Sequence, residues 1–233
     1  MIEPILVVKG LKKEFDEDSI TLKVFDNVNL KLFPNEFVAI MGASGSGKTT
    51  LLNIITGLEQ ATEGDVFVEN YNIGKISDDI ASELRRNKLG MVFQDFNLLP
   101  HLTAEENVEI PLIFAEVPES ERKLLALKAL QQTDMTEKAN HYPNQLSGGE
   151  KQRIAISRAI VNNPLILLVD EPTGNLDSQT GKEIISLFRH IVDQRGNHAI
   201  IMTTHDPEAA KNADKIFLLQ NGKLSVINKI QSS

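Results

Sequence analysis

The 233-residue chain has no cysteine, which excludes disulfides and cysteine-ligated metal and fits a reducing compartment. Basic charge is also short: 24 Lys and Arg stand against 32 Asp and Glu, a formal net charge of -8. That field does not favour direct binding to nucleic acid or to an anionic membrane surface, although one local basic patch can survive a negative total. Apolar runs such as LILLV at 165–169 fall far short of the roughly 20 residues a spanning helix needs. The opening Met1-Ile2-Glu3-Pro4 lacks a basic segment followed by an apolar one, so no signal peptide is expected. There is no internal repeat and no low-complexity tract. These absences predict a soluble chain with no direct membrane insertion, whose membrane role runs through a partner. With 41% hydrophobic residues it is long enough for a sizeable core and short enough for one domain with an inserted subdomain.

What is present is GASGSGKTT at 42–50, directly behind the apolar run 37–41. It satisfies G-x-x-x-x-G-K-[ST] through Gly42, Gly47, Lys48 and Thr49. A loop that wraps a polyphosphate needs backbone N–H groups converging on the anion, and glycines leave them uncrowded. Ala43, Ser44, Gly45, Ser46 and Thr50 complete the stretch. Lys48 offers a point charge to the outer phosphates, Thr49 a hydroxyl to magnesium, and the helix expected over 51–55 its positive end. The chain should bind a nucleoside triphosphate.

Around this loop, residues 5–8 and the alternating 28–32 read as strands, with the acidic 16–19 between them as a loop. Gly57 reads as a helix C-cap and 65–68 as a further strand; 78–86 is a helix capped by Ser77, and 89–93 a strand ending at Gln94. These early strands suggest an antiparallel sheet layered beside the nucleotide-binding one. From Gln94 the pattern turns helical: a capping box at Thr103, an interruption at Pro111, and an amphipathic helix over 119–132. Alternation resumes with strand 165–169, helix 178–194 closed by Gly196, strand 199–203, a short helix after Asp206-Pro207, and a hairpin turning at Asn221-Gly222. Right-handed crossovers then bring the phosphate loop and the later strand ends to one edge of a largely parallel sheet.

Five further places carry chemistry. Strand 165–169 ends in Asp170 and Glu171; behind a phosphate loop these suit a magnesium ligand and a base for an attacking water, whereas alone they would only start a solvated turn. Ser147 to Glu150 is a capping box, and the Ser147 hydroxyl with the N–H groups of Gly148 and Gly149 is also a candidate second anion site. His205 lies at a strand end on the presumed ligand edge. Gln94, at another strand end, offers an amide to water or magnesium. Phe15 suits either base stacking or the core.

Taken in order, GASGSGKT, Gln94, LSGGE, the LILLVDE strand end, Asn175-Leu176-Asp177 and His205 resemble the nucleotide-binding subunit of ATP-binding cassette (ABC) transporters over almost the whole chain. The resemblance implies an α/β fold: a P-loop NTPase (RecA-like) core with an antiparallel β-subdomain over 1–93 and 164–233, and an inserted α-helical subdomain over 94–163. It implies ATP and Mg2+ as cofactors, and a homodimer formed on ATP binding in which Ser147, Gly148 and Gly149 of one chain close on ATP held by the other. Carried over by position, Phe15 matches the adenine-stacking aromatic, residues 42–50 the phosphate site, and Thr49 with Asp170 the magnesium site. Lys48, Gln94, Glu171 and His205 match the catalytic set, with Gln94 also facing the metal, and Asp177 matches the loop that crosses the dimer. Glu150 stands where Gln is usual, and Phe15 where Tyr is.

The closer resemblance is to lipoprotein-releasing and macrolide-export cassettes, through KLGMVFQ at 88–94, NLLP at 97–100, Asn107-Val108 with Pro111-Leu112, and EPTGNLD at 171–177. It implies an ATPase on the cytoplasmic face of the membrane, driving a separate integral permease, with 96–111 at the entrance of the groove that receives it. Cell-division and peptide-resistance cassettes are similar, so a non-transport role through a membrane partner is the alternative. A ribosome or DNA cassette would bring a duplicated cassette or a long coiled coil, and a small-molecule kinase would not explain LSGGE.

Overall fold

The structure, a computed structural model, describes residues 2–17, 20–194 and 198–227. The first half contains β1 Leu6–Glu17, β2 Ile20–Leu32, β3 Phe37–Met41, α1 Lys48–Thr56, β4 Glu63–Val68, β5 Tyr71–Asn72, α2 Asp78–Lys88 and β6 Leu89–Val92. A helical stretch follows: α3 Ala104–Phe114, α4 Glu119–Gln132, 3-10 turns at Thr136–Lys138 and Pro143–Gln145, and α5 Gly148–Ile160. The chain then forms β7 Ile166–Asp170, α6 Ser178–Asp193, β8 Ala199–Thr204, α7 Pro207–Ala210, β9 Lys215–Gln220 and β10 Lys223–Ile227.

The strands build two sheets, an antiparallel one ordered β2-β1-β4-β5 and a six-stranded one ordered β10-β9-β3-β8-β7-β6. The second is parallel except for β10, which the Asn221-Gly222 turn folds back on β9. Its inner strands β3, β7 and β8 are apolar without alternation because both faces are covered. The period of two still sorts them. Phe37, Ala39, Leu167, Val169, Ile200 and Met202 face a core shared with α3, α4, α5 and α6. Val38, Ile40, Ile166, Leu168, Ala199 and Ile201 face a core shared with α1 and the antiparallel sheet. Every strand that ends on the ligand edge is thus clamped between two cores, which fixes the residues at its tip.

Several expectations change in detail. β1 and β2 run well past 5–8 and 28–32, and β1 takes in Asp16 and Glu17; Asp18 and Ser19 of the expected loop lie outside the described residues. Register shifts between Val8 and Leu11, Leu11 and Lys13, and Lys13 and Glu14 throw the alternation out of phase while pairing continues, so the pattern hides the strand. Pro111 does not interrupt: it sits in the last turns of α3, where Val108 and Leu112 share a buried face and the Pro111 carbonyl accepts from Ala115 N and Asn162 Nδ2. One lost N–H bond is offset by that packing. The fully buried Asn107 ties the preceding loop to α3 through the carbonyls of Leu99, Leu102 and Thr103. β6 stops at Val92, so Gln94 lies in a turn beyond the strand. Gly196, expected to close α6, lies outside the described residues. Among the described residues no helix is long and apolar enough to cross a membrane.

Candidate nucleotide site

The phosphate loop leaves the end of β3 and enters α1 through Gly47, whose φ of 97° a side chain rarely adopts. Space is equally decisive. A Cβ at Gly47 would stand 2.5 Å from Val24 Cγ1 and 2.7 Å from the Phe25 ring, and one at Gly42 would stand 2.7 Å from the Leu219 carbonyl. The loop is therefore pressed between β2 and β9. α1 has no side-chain cap and no acid in its own first turn; the carboxylates that reach its first residues, Asp170 and Glu171, come from the end of β7. Ser46 Oγ is buried without a hydrogen-bond partner, a cost that an anion in the loop would remove.

Lys48, 4% exposed, donates to the carbonyls of Gly42 and Ala43 at 2.9 Å each and lies 3.0 Å from Glu171 Oε1. The other Glu171 oxygen is 3.0 Å from His205 Nδ1. Burial pushes the Glu171 carboxyl up, but the hydrogen bonds from Lys48 and His205 outweigh it and hold the group below its ordinary value. Glu171 has a φ of 41°, a strained position for a non-glycine residue immediately beyond β7. Its N–H is caught by the Thr203 carbonyl at 3.1 Å. The Thr203 hydroxyl donates to Asp170 Oδ1 at 2.6 Å, and the Thr49 hydroxyl to Asp170 Oδ2 at 2.8 Å. Thr203 was not among the expected site residues; its signal was a polar residue at the tip of the fully buried run AIIMTT. The Thr49 hydroxyl and Asp170 carboxylate are hard oxygen donors, and so few protein ligands fit a magnesium ion that takes the rest from phosphate and water.

Gln94 is exposed, and its amide lies against Gly174, where a Cβ would stand 2.9 Å from Gln94 Nε2. Asn175 Nδ2 donates to the Gln94 carbonyl and to Asp95 Oδ1, so the turn after β6 is tied to the segment after Glu171. Asp177 caps α6, accepting from Gln179 N, Thr180 N and Thr180 Oγ1. The Thr180 hydroxyl, with help from backbone N–H groups, holds the Asp177 carboxyl below its usual range.

Ser147, Gly148 and Gly149 open α5 through the expected capping box: Ser147 Oγ accepts from Glu150 N, and Glu150 Oε2 accepts from Ser147 N. The glycines also have a packing reason. A Cβ at Gly149 would stand 2.5 Å from Thr180 Cγ2, and one at Gly148 3.2 Å from Leu176 Cδ2. α5 packs on β6 and α6, and β6 is three ladder positions from β3. At ~4.8 Å per strand that is roughly 14 Å of sheet between the strand that feeds Lys48 and the strand that α5 covers.

Phe15 is half-buried on the β1–β2 hairpin, directly opposite Leu22, and joins neither core, so the core alternative is not what the fold uses. Farther off, Arg85, Arg86, Ile110, Pro111, Phe114 and Arg158 line a groove of about 340 Å³. Arg158 donates to the carbonyls of Phe96 and Asn97, joining that groove to the segment after Gln94.

A glycine phosphate loop after β3, a carboxylate pair at the tip of the parallel strand β7 and an inserted helical stretch define a P-loop ATPase of the cassette type. The chain belongs to the ABC transporter family, whose sequence pattern matches residues 25–174. It is 43% identical over 231 residues to an uncharacterised ABC transporter ATP-binding protein, MJ0796, of Methanocaldococcus jannaschii, covering 97% of this chain and 98% of that one. It is 38% identical to the macrolide export ATP-binding/permease protein MacB of Shigella flexneri, covering 95% of this chain but only 34% of that relative's length. Among solved structures, the dimeric MJ0796 cassette in a post-hydrolysis state with ADP and Pi superposes with a TM-score of 0.87 at 42% identity, covering 98% of this chain and all of that one. The chain is thus an ATP-binding and ATP-hydrolysing cassette of this family.

Proposed function

We propose that this cassette binds Mg-ATP at residues 42–50, closes as a head-to-tail homodimer, and drives a transmembrane permease from the cytoplasmic face of the membrane. The observation that carries the catalytic part is the chain of contacts from Lys48 through Glu171 to His205. Glu171 is held ionised and so can accept a proton from a water aimed at the γ-phosphate. When the phosphates draw on the charge of Lys48, the carboxylate loses part of what holds it acidic and becomes the stronger base. Magnesium, held by Thr49 and Asp170 with Gln94 nearby, would neutralise charge on the phosphate oxygens. His205 orients Glu171 and lies beside the γ-phosphate.

The dimer reading draws on three supports: the dimeric MJ0796 structures, the three ladder positions between β3 and the strand that α5 covers, and the packing of Gly148 and Gly149 against Leu176 and Thr180, the neighbours of Asp177. Ser147, Gly148 and Gly149 then meet the ATP of the second chain, and adenine stacks on Phe15. Residues 94–163 act as the helical subdomain, with 1–93 and 164–233 as the nucleotide-binding core and its β-subdomain. The groove beside Phe114, whose side chain is 67% exposed, receives a cytoplasmic helix of the permease. The likeness to MacB favours an export or release permease over a division partner.

The test is Glu171→Gln, assayed for ATP binding, phosphate release and size in solution. Retained binding, turnover lower by about 10²–10⁴ and an ATP-stabilised dimer are expected. Hydrolysis at the parental rate removes Glu171 as the base.

A further inference from the structure

Among the described residues Lys13 is the one lysine besides Lys48 that the fold buries, at 7% exposure, and nothing in the ATPase chemistry uses it. Its ammonium sits 4.3 Å from the centroid of the Phe15 ring, over one face. The same nitrogen donates to Glu59 Oε1 at 2.6 Å and to the Gln60 carbonyl at 2.9 Å. Glu59 is in turn tied by its N–H to the Asn53 carbonyl in the last turn of α1. One cation therefore joins the ring on the hairpin to the far end of the helix that begins at Lys48.

We propose that Lys13 is a positioning residue for the nucleotide base, acting through Phe15. This inference rests on the reading that a base stacks on Phe15. A ring on a projecting hairpin has side-chain freedom that a ligand must remove on binding. A buried cation on one face fixes the ring beforehand and assigns the opposite face to the base. Because the cation is anchored to the loop after α1, the ring is held in register with the phosphate site at the other end of that helix. Exposed Leu22, directly across the ladder, borders the same place.

The experiment compares ATP with inorganic tripolyphosphate, which has no base, as ligands of the full chain by calorimetry. Lys13→Met keeps the length of the buried stem, and Thr62 still ties the hairpin down through bonds to Glu14 N and the Lys12 carbonyl. The expected result is ATP binding about three- to tenfold weaker with tripolyphosphate unchanged. Lys13→Arg, which restores a cation, is expected to return ATP affinity to within about twofold. Equal weakening toward both ligands would show that Lys13 merely holds the loop, and no weakening toward ATP would show that it does nothing for the base; either overturns the proposal. Phe15→Leu separates the premise. If it weakens ATP binding while Lys13→Met does not, the base reading stands and the role of Lys13 falls. If Phe15→Leu leaves ATP binding unchanged, the base reading itself falls and takes the proposal with it.

Discussion

Two helices of this chain start in glycine-rich turns, and they start differently. α1 opens at Gly47 with no side-chain cap and no acid, and a lysine reaches across its loop. α5 opens at Ser147 with a complete capping box, and its first-turn acid Glu150 is paired to Lys138 at 3.1 Å. Both have a positive end, but α5 answers its own with a carboxylate of its first turn while α1 has none there. On the proposed reading, the difference teaches how one chain can hold an anion site that works alone and a second that works only when something else delivers the anion. A nucleotide already held by the α1 start of another copy is such a delivery.

The largest expected effect tests that asymmetry directly. Lys48→Met removes a buried charge aimed at the phosphates and is expected to weaken ATP binding to the single chain by on the order of 10- to 100-fold. Ser147→Ala is expected to spare that binding, to cost about 1 kcal/mol of stability through the lost cap, and to abolish the ATP-dependent dimer. Calorimetry gives the binding and sedimentation the dimer. Comparable losses of single-chain affinity in both variants would erase the distinction between the two helix starts.

A middle-sized effect concerns why α5 is glycine-rich at all. The Gly149 Cβ position lies 2.5 Å from the stiff Thr180 methyl, so Gly149→Ala forces α5 off α6. Overpacking costs about 1–3 kcal/mol, and helix propensity returns about 1, leaving a net loss near 1 kcal/mol. For a domain of this size that lowers Tm by roughly 2–4 °C. Thr180→Ser removes the methyl but keeps the hydroxyl that donates to Asp177 at 2.6 Å, so the double variant should regain most of the loss. Additive effects in the two variants would mean that the glycines serve only the anion and not the packing.

The phosphate loop was legible because its requirements are local: consecutive residues, a strand before and a helix after. The same holds for the caps at Ser77, Thr103 and Ser147, each written within four residues and each found. What was illegible depends on partners distant in sequence. The length of β1 was masked by three register shifts, because bulges preserve pairing while destroying the alternation that reveals it. Pro111 read as a break because its compensation, the buried pair Val108 and Leu112, is tertiary. Thr203 showed only as a polar residue at the tip of a buried run, and Lys13 carries no local signature; only the fold brings Thr203 to Asp170 and Lys13 to Glu59. The motifs and caps were thus readable, and the residues that hold them in place were not.

The smallest effect comes from the acid that makes α5 self-sufficient. The backbone N–H of Ser147, joined by Lys138, holds the Glu150 carboxyl below its ordinary value. A lowered folded value means that its stabilising contribution is complete above the unfolded carboxylate value of ~4.3 and is lost as pH falls through the folded one. Glu150→Gln can keep the capping box while removing the charge, so its stability should depend less on pH in that acidic window, by a few tenths of a kcal/mol at this partly exposed position. At neutral pH the same change leaves the α5 start more positive. Judged by the worth of a charge at a helix end, ATP-dependent dimerisation should tighten by about two- to fivefold at low salt, and by less as salt screens it. Sedimentation of Glu171→Gln with and without Glu150→Gln, at low and high salt, reads this out. If the dimer is no tighter at low salt, the carboxylate does not compete with the incoming phosphate, and the contrast between the two helix starts reduces to the reach of Lys48 alone.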